Sequence, residues 1–92
     1  MDVFLIGVPK AGTTWLSNVL DQHPGVVLSE PKEPNFVASH KGTFEVEEDE
    51  PDWSKYADFF SGDGLKMDAS VHTFSCPIAP ERIRSNFPDA RF

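Results

Sequence analysis

The sequence has little cysteine and no long apolar stretch. Cys76 is the single cysteine among 92 residues, so a disulfide within the chain is excluded. The apolar run at residues 3–6 is far too short to span a bilayer or to form the core of a signal peptide. These absences predict a chain without a membrane segment. They also predict a reducing, cytoplasmic location as the default, with a membrane anchor upstream of the chain as the open alternative.

Basic residues are also scarce. Eight lysines and arginines stand against 15 aspartates and glutamates, and the net charge of −7 argues against general nucleic-acid binding. The stretch 45–52 is the most acidic part of the chain and is interpreted as a solvated surface loop. A metal site is the alternative for this stretch, but it lacks the glycine and the terminal glutamate of a calcium-binding loop. No metal site is therefore predicted.

The most informative segment is a glycine-bounded loop with the sequence GVPKAGTT at residues 7–14. It lies between the apolar run at 3–6 and an amphipathic run at 15–20. This order predicts a strand, a loop and a helix. Such an arrangement wraps backbone N–H groups around a phosphate at the N-terminus of the helix. The segment therefore predicts a phosphate-binding loop.

Each polar or flexible residue of this loop has a physical role in that prediction. Gly7 and Gly12 permit a tight backbone, and Lys10 supplies a positive charge. The hydroxyl groups of Thr13 and Thr14 can donate to phosphate oxygens, and either of them can cap the helix. The spacing between the glycines is that of a nucleotide P-loop, but Thr13 stands where an ATP or GTP enzyme carries lysine. This displacement disfavours a nucleotide kinase or NTPase, which stays open as an alternative beside a non-catalytic nucleotide-binding protein.

The rest of the chain predicts an α/β fold. Strands are expected at 26–28 and 65–67, an aromatic helix capped by Asp52 at 53–60, a helix at 80–87 and the start of a strand at 88–92. This alternation favours a P-loop NTPase-like parallel sheet flanked by helices. Because 39% apolar residues and about three strands make a small core, we expect residues 1–92 to be the truncated, N-terminal part of one larger domain.

The segment PKAGTTWL at residues 9–16 resembles the 5′-phosphosulfate loop of sulfotransferases, Pro-Lys-x-Gly-Thr-Thr-x-Leu. Weaker matches follow in the family's order at 23–24, 32–36, 53–60 and 64–70. They are most similar to the glycan, Golgi-type and bacterial branch. The resemblance covers nearly all of the chain and implies that residues 1–92 are the donor-binding half of a single sulfotransferase domain, with the acidic stretch 45–52 as a surface loop.

The resemblance implies an activity and a donor. These enzymes transfer a sulfuryl group from 3′-phosphoadenosine 5′-phosphosulfate (PAPS) to a hydroxyl or amine, and they leave 3′,5′-adenosine diphosphate without needing a metal. The acceptor is expected to be a carbohydrate, a lipid or a small molecule. The implied donor-binding residues are Pro9, Lys10, Ala11, Gly12, Thr13, Thr14 and Trp15. The 3′-phosphate site is expected beyond Phe92, so the 92 residues alone are predicted to be inactive.

Three residues are candidates for catalysis. Lys10 can neutralise the oxygen that bridges sulfate and phosphate. Glu33 follows the second predicted strand at the carboxyl edge of the sheet, and it matches the proposed base of the glycan branch. Glu30 is the alternative base, and Lys32 stands ready to assist. The resemblance places Lys66 near the donor sulfate, and a surface position on a strand is the alternative for it.

Several other polar residues are predicted to be structural or solvated. The cytosolic branch of the family uses a histidine base, but His23 is expected to end a helix before Pro24, and His40 and His72 lack the sequence context of that histidine. Arg82 and Arg84 precede the last predicted strand, whereas the 3′-phosphate site of the family follows it. These departures favour Glu33 as the base.

Overall fold

The computed structural model describes residues 1–38, 40–41, 45–46 and 50–92. The elements in chain order are β1 (Val3–Phe4), α1 (Thr13–Asp21), β2 (Val26–Leu28), β3 (His40–Lys41), β4 (Glu45–Val46), a 3₁₀ helix (Trp53–Phe59), β5 (Leu65–Asp68), α2 (His72–Ser75) and α3 (Ala79–Asn86). The predicted helices and the strands predicted at 3–6, 26–28 and 65–67 are present within a few residues of their expected bounds, whereas the strand expected at 88–92 is a single bridge at Arg91. The antiparallel pair of β3 and β4 and the helix α2 were not predicted.

The main sheet is parallel and has the order β1-β5-β2. The strand of this sheet that comes last in the sequence, β5, therefore lies in its centre. Next to β1, on the side away from β5, Arg91 forms a parallel bridge with Val3. The amide of Phe4 donates to the Arg91 carbonyl and the amide of Arg91 donates to the Asp2 carbonyl, both at 2.8 Å. The predicted strand near the end of the sequence therefore adds a fourth parallel position, and the α/β fold class is confirmed.

The core lies under an aromatic cluster, which we define as Phe36, Trp53, Tyr56, Phe59, Phe60 and Phe87. Tyr56 is at its centre: it stacks on Phe36 with ring centroids 4.9 Å apart and meets Trp53 and Phe59 edge to face. These rings bury a large apolar area in preferred offset and edge-on geometries. The predicted aromatic stripe is thus confirmed as core packing, on a 3₁₀ rather than an α-helix.

Asp52 caps the 3₁₀ helix, as the sequence predicted. Its Oδ1 accepts hydrogen bonds from the Ser54 amide at 3.2 Å and from the Ser54 hydroxyl at 2.6 Å. These bonds lower the pKa of the Asp52 carboxyl. The helix begins directly after Asp52, because this cap accepts hydrogen bonds from backbone N–H groups that the first turn leaves without partners.

Buried polar contacts join the aromatic cluster to the sheet. The hydroxyl of Tyr56 donates to Oδ2 of Asp68, whose other carboxylate oxygen accepts the Ser70 amide at 2.8 Å. Asp68 is 1% exposed at the carboxyl end of the central strand. Because the buried carboxylate keeps both oxygens hydrogen-bonded, it costs less than an isolated buried charge and fixes the helix against β5.

The acidic stretch 45–52 is only partly the loop that the sequence predicted. Glu45 begins β4, which pairs antiparallel with β3, and residues 47–49 lie outside the described residues. Glu50 is exposed, accepts a hydrogen bond from the Trp53 indole at 2.6 Å and lies 3.7 Å from Nε of Arg82. The sequence did not predict β4, because backbone pairing, unlike apolar periodicity, leaves no recognisable pattern in a charged sequence.

Candidate functional site

The loop between β1 and α1 leaves the sheet at its carboxyl edge. Leu5 is still in the sheet, since its amide donates to the Asp68 carbonyl at 2.8 Å. Beyond it the chain turns through a hydrogen bond from the Ala11 amide to the Val8 carbonyl at 3.2 Å. Gly12 adopts φ of +88°, a left-handed conformation that disfavours any residue with a side chain. This glycine reverses the chain into the first turn of α1.

The N-terminus of α1 has no side-chain cap. Gly12 occupies the N-cap position, and no acidic residue lies in the first turn. The prediction that a threonine caps the helix is wrong, because Thr13 and Thr14 are already its first two residues. The first helical amides are thus available, and the helix dipole gives this end a partial positive charge. An uncapped N-terminus of this kind is suited to binding an anion.

The predicted donor-binding residues are contiguous around that N-terminus. Lys10 is exposed and has φ of +64° at the tip of the loop, and Thr14 is also exposed. Thr13 is 8% exposed, so its side chain packs inward. Trp15 is 70% exposed beside the loop. The arrangement therefore offers a flexible cation, a hydroxyl and backbone amides to one bound group; Thr13 supports the turn from inside.

Glu33 lies at the same edge of the sheet. Its Oε1 accepts the Val71 amide at 3.3 Å, just beyond the carboxyl end of β5, and lies 3.6 Å from Nζ of Lys32. The Lys32 ammonium also reaches the Ala69 carbonyl at 3.5 Å. Because β1 and β5 are adjacent parallel strands, the loop after β1 and the carboxylate held after β5 share one edge. Glu30, the alternative base, is exposed to solvent.

Asn35 belongs to this edge, although the sequence did not single it out. It has φ of +50°, its amide donates to the Ser70 hydroxyl at 3.0 Å, and its side chain donates to the Glu33 carbonyl at 3.3 Å. Its Oδ1 is buried and has no partner among the residues that the structure describes. Asn35 thus fixes the segment that carries Glu33. Its position after Pro34 was the available sign, because asparagine tolerates the left-handed backbone of a turn.

Lys66 lies elsewhere. The register pairs Val3 with Met67, which puts Lys66 level with Asp2 and five strand positions before Gly7. At the usual rise per residue this is roughly 16 Å along the strand. Its side chain lines a cavity of about 200 Å³ beside the aromatic cluster. The structure therefore brings Lys10 and Glu33 to one edge and does not bring Lys66 with them.

The histidines and Arg82 have structural surroundings. Nδ1 of His23 accepts the Gly25 amide at 2.9 Å in the turn after α1, and His72 begins α2. Arg82 is 6% exposed and donates to the Val37 carbonyl at 2.8 Å. The side chain of His40 is outside the described residues. Among the residues that the structure describes, no group of three or more histidines, cysteines and carboxylates could hold a metal ion.

The electrostatics of the edge are set by burial. Burial raises the pKa of Asp68; hydrogen bonds from Ser70 and Tyr56 oppose this shift, and the charge of Glu33 adds to it. Burial also raises the pKa of the Tyr56 phenol, and the charge of Asp68 adds to that shift. Asp68 is therefore a structural group within the sheet, whereas the half-exposed Glu33 faces the solvent side of the same edge.

Comparison with known proteins identifies a family but no individual relative. No curated protein and no solved structure matches the chain. In the described ranges no helix has both the length and the apolar character needed to cross a membrane. A family model described as "Sulfotransferase family" matches residues 2–73, which include the loop, the whole of α1 and the Glu33 segment. Since that match extends over more than half of the sequence, the chain belongs to the sulfotransferase family.

Proposed function

We propose that this protein transfers a sulfuryl group from PAPS to a hydroxyl or amine acceptor. One observation carries the proposal: in a chain of the sulfotransferase family, an uncapped helix N-terminus and a loop lysine lie at the same sheet edge as a held carboxylate. The donor and the acceptor class go beyond the family match. PAPS, when bound, supplies an activated sulfuryl group whose bond to a phosphate oxygen breaks during transfer.

The residues of the loop fit the phosphosulfate part of such a donor. The amides of the first turn of α1 and the hydroxyl of Thr14 donate to anionic oxygens. Lys10 neutralises the negative charge that develops on the bridging oxygen when its bond to sulfur breaks. The absence of any acidic residue from the first turn removes the repulsion that an anion would otherwise meet there.

Glu33 acts as the general base in this proposal. It accepts the proton of the acceptor hydroxyl or amine while the acceptor forms its bond to sulfur, so the acceptor attacks as a stronger nucleophile. The Val71 amide fixes Oε1 at 3.3 Å, and the Lys32 ammonium lies 3.6 Å from the same oxygen. These two contacts orient the carboxylate at the edge of the sheet. Lys66 is left out of the proposed machinery because of its distance from the loop.

The donor assignment is tested by calorimetry on the purified protein. We expect 3′,5′-adenosine diphosphate to bind without magnesium, and we expect Lys10→Ala to weaken that binding. Lys55→Ala is the matched control, since Lys55 is an exposed lysine on the 3₁₀ helix paired with Asp52 at 3.8 Å. Tight, magnesium-dependent ATP binding without a response to the 3′-phosphonucleotide would reassign the protein to the kinase or NTPase class.

A further inference from the structure

Buried hydrogen bonds join the carboxyl end of β5 to the segment that carries Glu33. Ser70 lies two residues beyond β5 and is 1% exposed. Its hydroxyl accepts the Asn35 amide at 3.0 Å, and its own amide donates to Oδ1 of Asp68 at 2.8 Å. Ser70 is therefore bonded on one side to the central strand and on the other side to the Glu33 segment.

Asp68 gives this connection a fixed base. It is the last residue of the central strand, it is 1% exposed, and its Oδ2 accepts the Tyr56 hydroxyl. Because Oδ1 bonds the Ser70 amide, a shift of that amide would leave a buried carboxylate oxygen without its partner, which costs free energy. The sheet and the aromatic cluster together therefore hold the backbone at Ser70 in place.

Two routes lead from this base to Glu33. The Val71 amide, next to Ser70 in the chain, donates to Oε1 of Glu33 at 3.3 Å. Asn35, whose amide is bonded to the Ser70 hydroxyl, donates through its side chain to the Glu33 carbonyl at 3.3 Å. The first route holds the carboxylate, and the second holds the backbone that carries it. Both routes pass through Ser70.

We infer that Ser70 is a positioning residue, which sets the place of the Glu33 carboxylate through its hydroxyl and through the neighbouring Val71 amide. The inference rests on the proposed function, in which Glu33 is the base. Ser70 does not touch the substrate, because it is buried. Without its hydroxyl, the Asn35 amide loses its acceptor and the Glu33 segment is free to shift against Val71. A reacting group that is misplaced by about 1 Å can lose about 10²-fold in rate.

A double-mutant cycle on the purified protein tests this role. We expect Ser70→Ala to lower turnover by roughly 10–10²-fold, the scale of misplacing a reacting group, without changing the affinity for 3′,5′-adenosine diphosphate. In a Glu33→Gln background the same substitution should cause no further loss, because the group that it positions has been removed. Equal losses in the two backgrounds would overturn the inference. Ser70→Cys keeps a weak acceptor of similar size, so it gives the same cycle with a smaller perturbation of the fold.

Ile83→Val is the control for a general loss of stability. It shortens a core side chain that is 3% exposed and leaves the hydrogen bonds between Ser70, Asn35 and Glu33 in place. We expect this variant to have a lower unfolding midpoint and normal turnover. A fall in turnover like that of Ser70→Ala would assign both effects to stability and would overturn the positioning role.

An NMR measurement separates this inference from the proposed function, because it does not depend on catalysis. Glu33→Gln should shift the Val71 amide resonance in the unmodified protein and leave it nearly unchanged in the Ser70→Ala background, where the contact is already lost. Equal shifts in both backgrounds would overturn the positioning role. If the protein transfers no sulfate while the NMR cycle gives the expected result, the proposed function is wrong and the hold of Ser70 on Glu33 stands.

Discussion

The aromatic cluster and the loop between β1 and α1 are built in opposite ways. Each ring of the cluster meets another at centroid distances between 4.9 and 6.3 Å, and Tyr56 is 3% exposed. The loop tip, residues 8–12, is exposed throughout, and its one internal hydrogen bond joins the Ala11 amide to the Val8 carbonyl. Ring-to-ring contacts hold the cluster together, whereas the unused amides of the loop leave room for an anion. The difference separates the part that holds the chain together from the part that is arranged to bind.

Helix α1 belongs to the loop region rather than to the aromatic cluster. Its buried positions are Thr13 and Ser17, both small and polar, while Trp15, Leu16 and Val19 are exposed. The Ser17 hydroxyl donates to the Thr14 carbonyl at 3.0 Å, so the buried side satisfies itself locally. The helix therefore contributes its N-terminus to the site and little apolar burial to the core.

The largest expected effect lies on the binding side. Glu33→Gln keeps the size of the side chain and removes its basic oxygen, so turnover should fall by about 10²–10⁴-fold, the usual worth of a positioned base. Donor affinity and the unfolding midpoint should stay close to those of the unmodified protein. Steady-state sulfate transfer, donor binding and urea unfolding of the two proteins are the measurements.

Glu30→Gln is the control for that prediction, because Glu30 lies three residues away with an exposed side chain. It should keep normal turnover. Loss of activity in Glu30→Gln together with normal turnover in Glu33→Gln would show that the base has been misassigned.

On the packing side, Tyr56→Ala should destabilise the fold by about 3–5 kcal/mol, the range for truncating a buried aromatic residue. The substitution removes the ring contacts of Tyr56 and leaves Asp68 without its phenol donor. The free energy of unfolding in urea measures the loss. Trp15→Ala also deletes an aromatic ring, but from a position that is 70% exposed, so its midpoint should hardly move. Equal losses in both variants would contradict the division between the two regions.

Lys10→Ala should lower turnover by roughly 10²–10³-fold, the scale of removing one preorganised group that stabilises developing charge. Because Lys10 is exposed and lies in the loop, the unfolding midpoint should not change. Single-turnover kinetics separate the chemical step from donor binding. Turnover like that of the unmodified protein would remove Lys10 from the mechanism.

The smallest expected effect is on the pH dependence of stability. The pKa of Asp68 is raised above its ordinary value of 3.8, chiefly by burial. The folded state therefore holds this proton more tightly than the unfolded state. The stabilisation is fully present below pH 3.8 and is lost as the pH rises through the raised pKa. Asp68→Asn cannot ionise, so urea titrations across this range should show a flatter dependence; identical slopes in the two proteins would refute the assignment.

The sequence by itself determined the chemistry of the loop and the identity of its neighbours. Glycine spacing, a displaced lysine and two threonines before an amphipathic run predicted a loop followed by a helix N-terminus, because backbone geometry there depends on local residues. Apolar runs at 26–28 and 65–67 predicted two strands, and the aromatic spacing after Asp52 predicted a capped helix, because these patterns also depend on neighbouring residues.

Only the tertiary structure decided which residues meet. Strand order put β5 beside β1 and so brought Glu33, held through Val71, to the edge where the loop begins, while the same register left Lys66 five positions away. It also left the buried hydroxyl of Thr73 without a hydrogen-bond partner among the residues that the structure describes. Such outcomes depend on contacts between residues far apart in the chain, and no local pattern of residues encodes the distance between them.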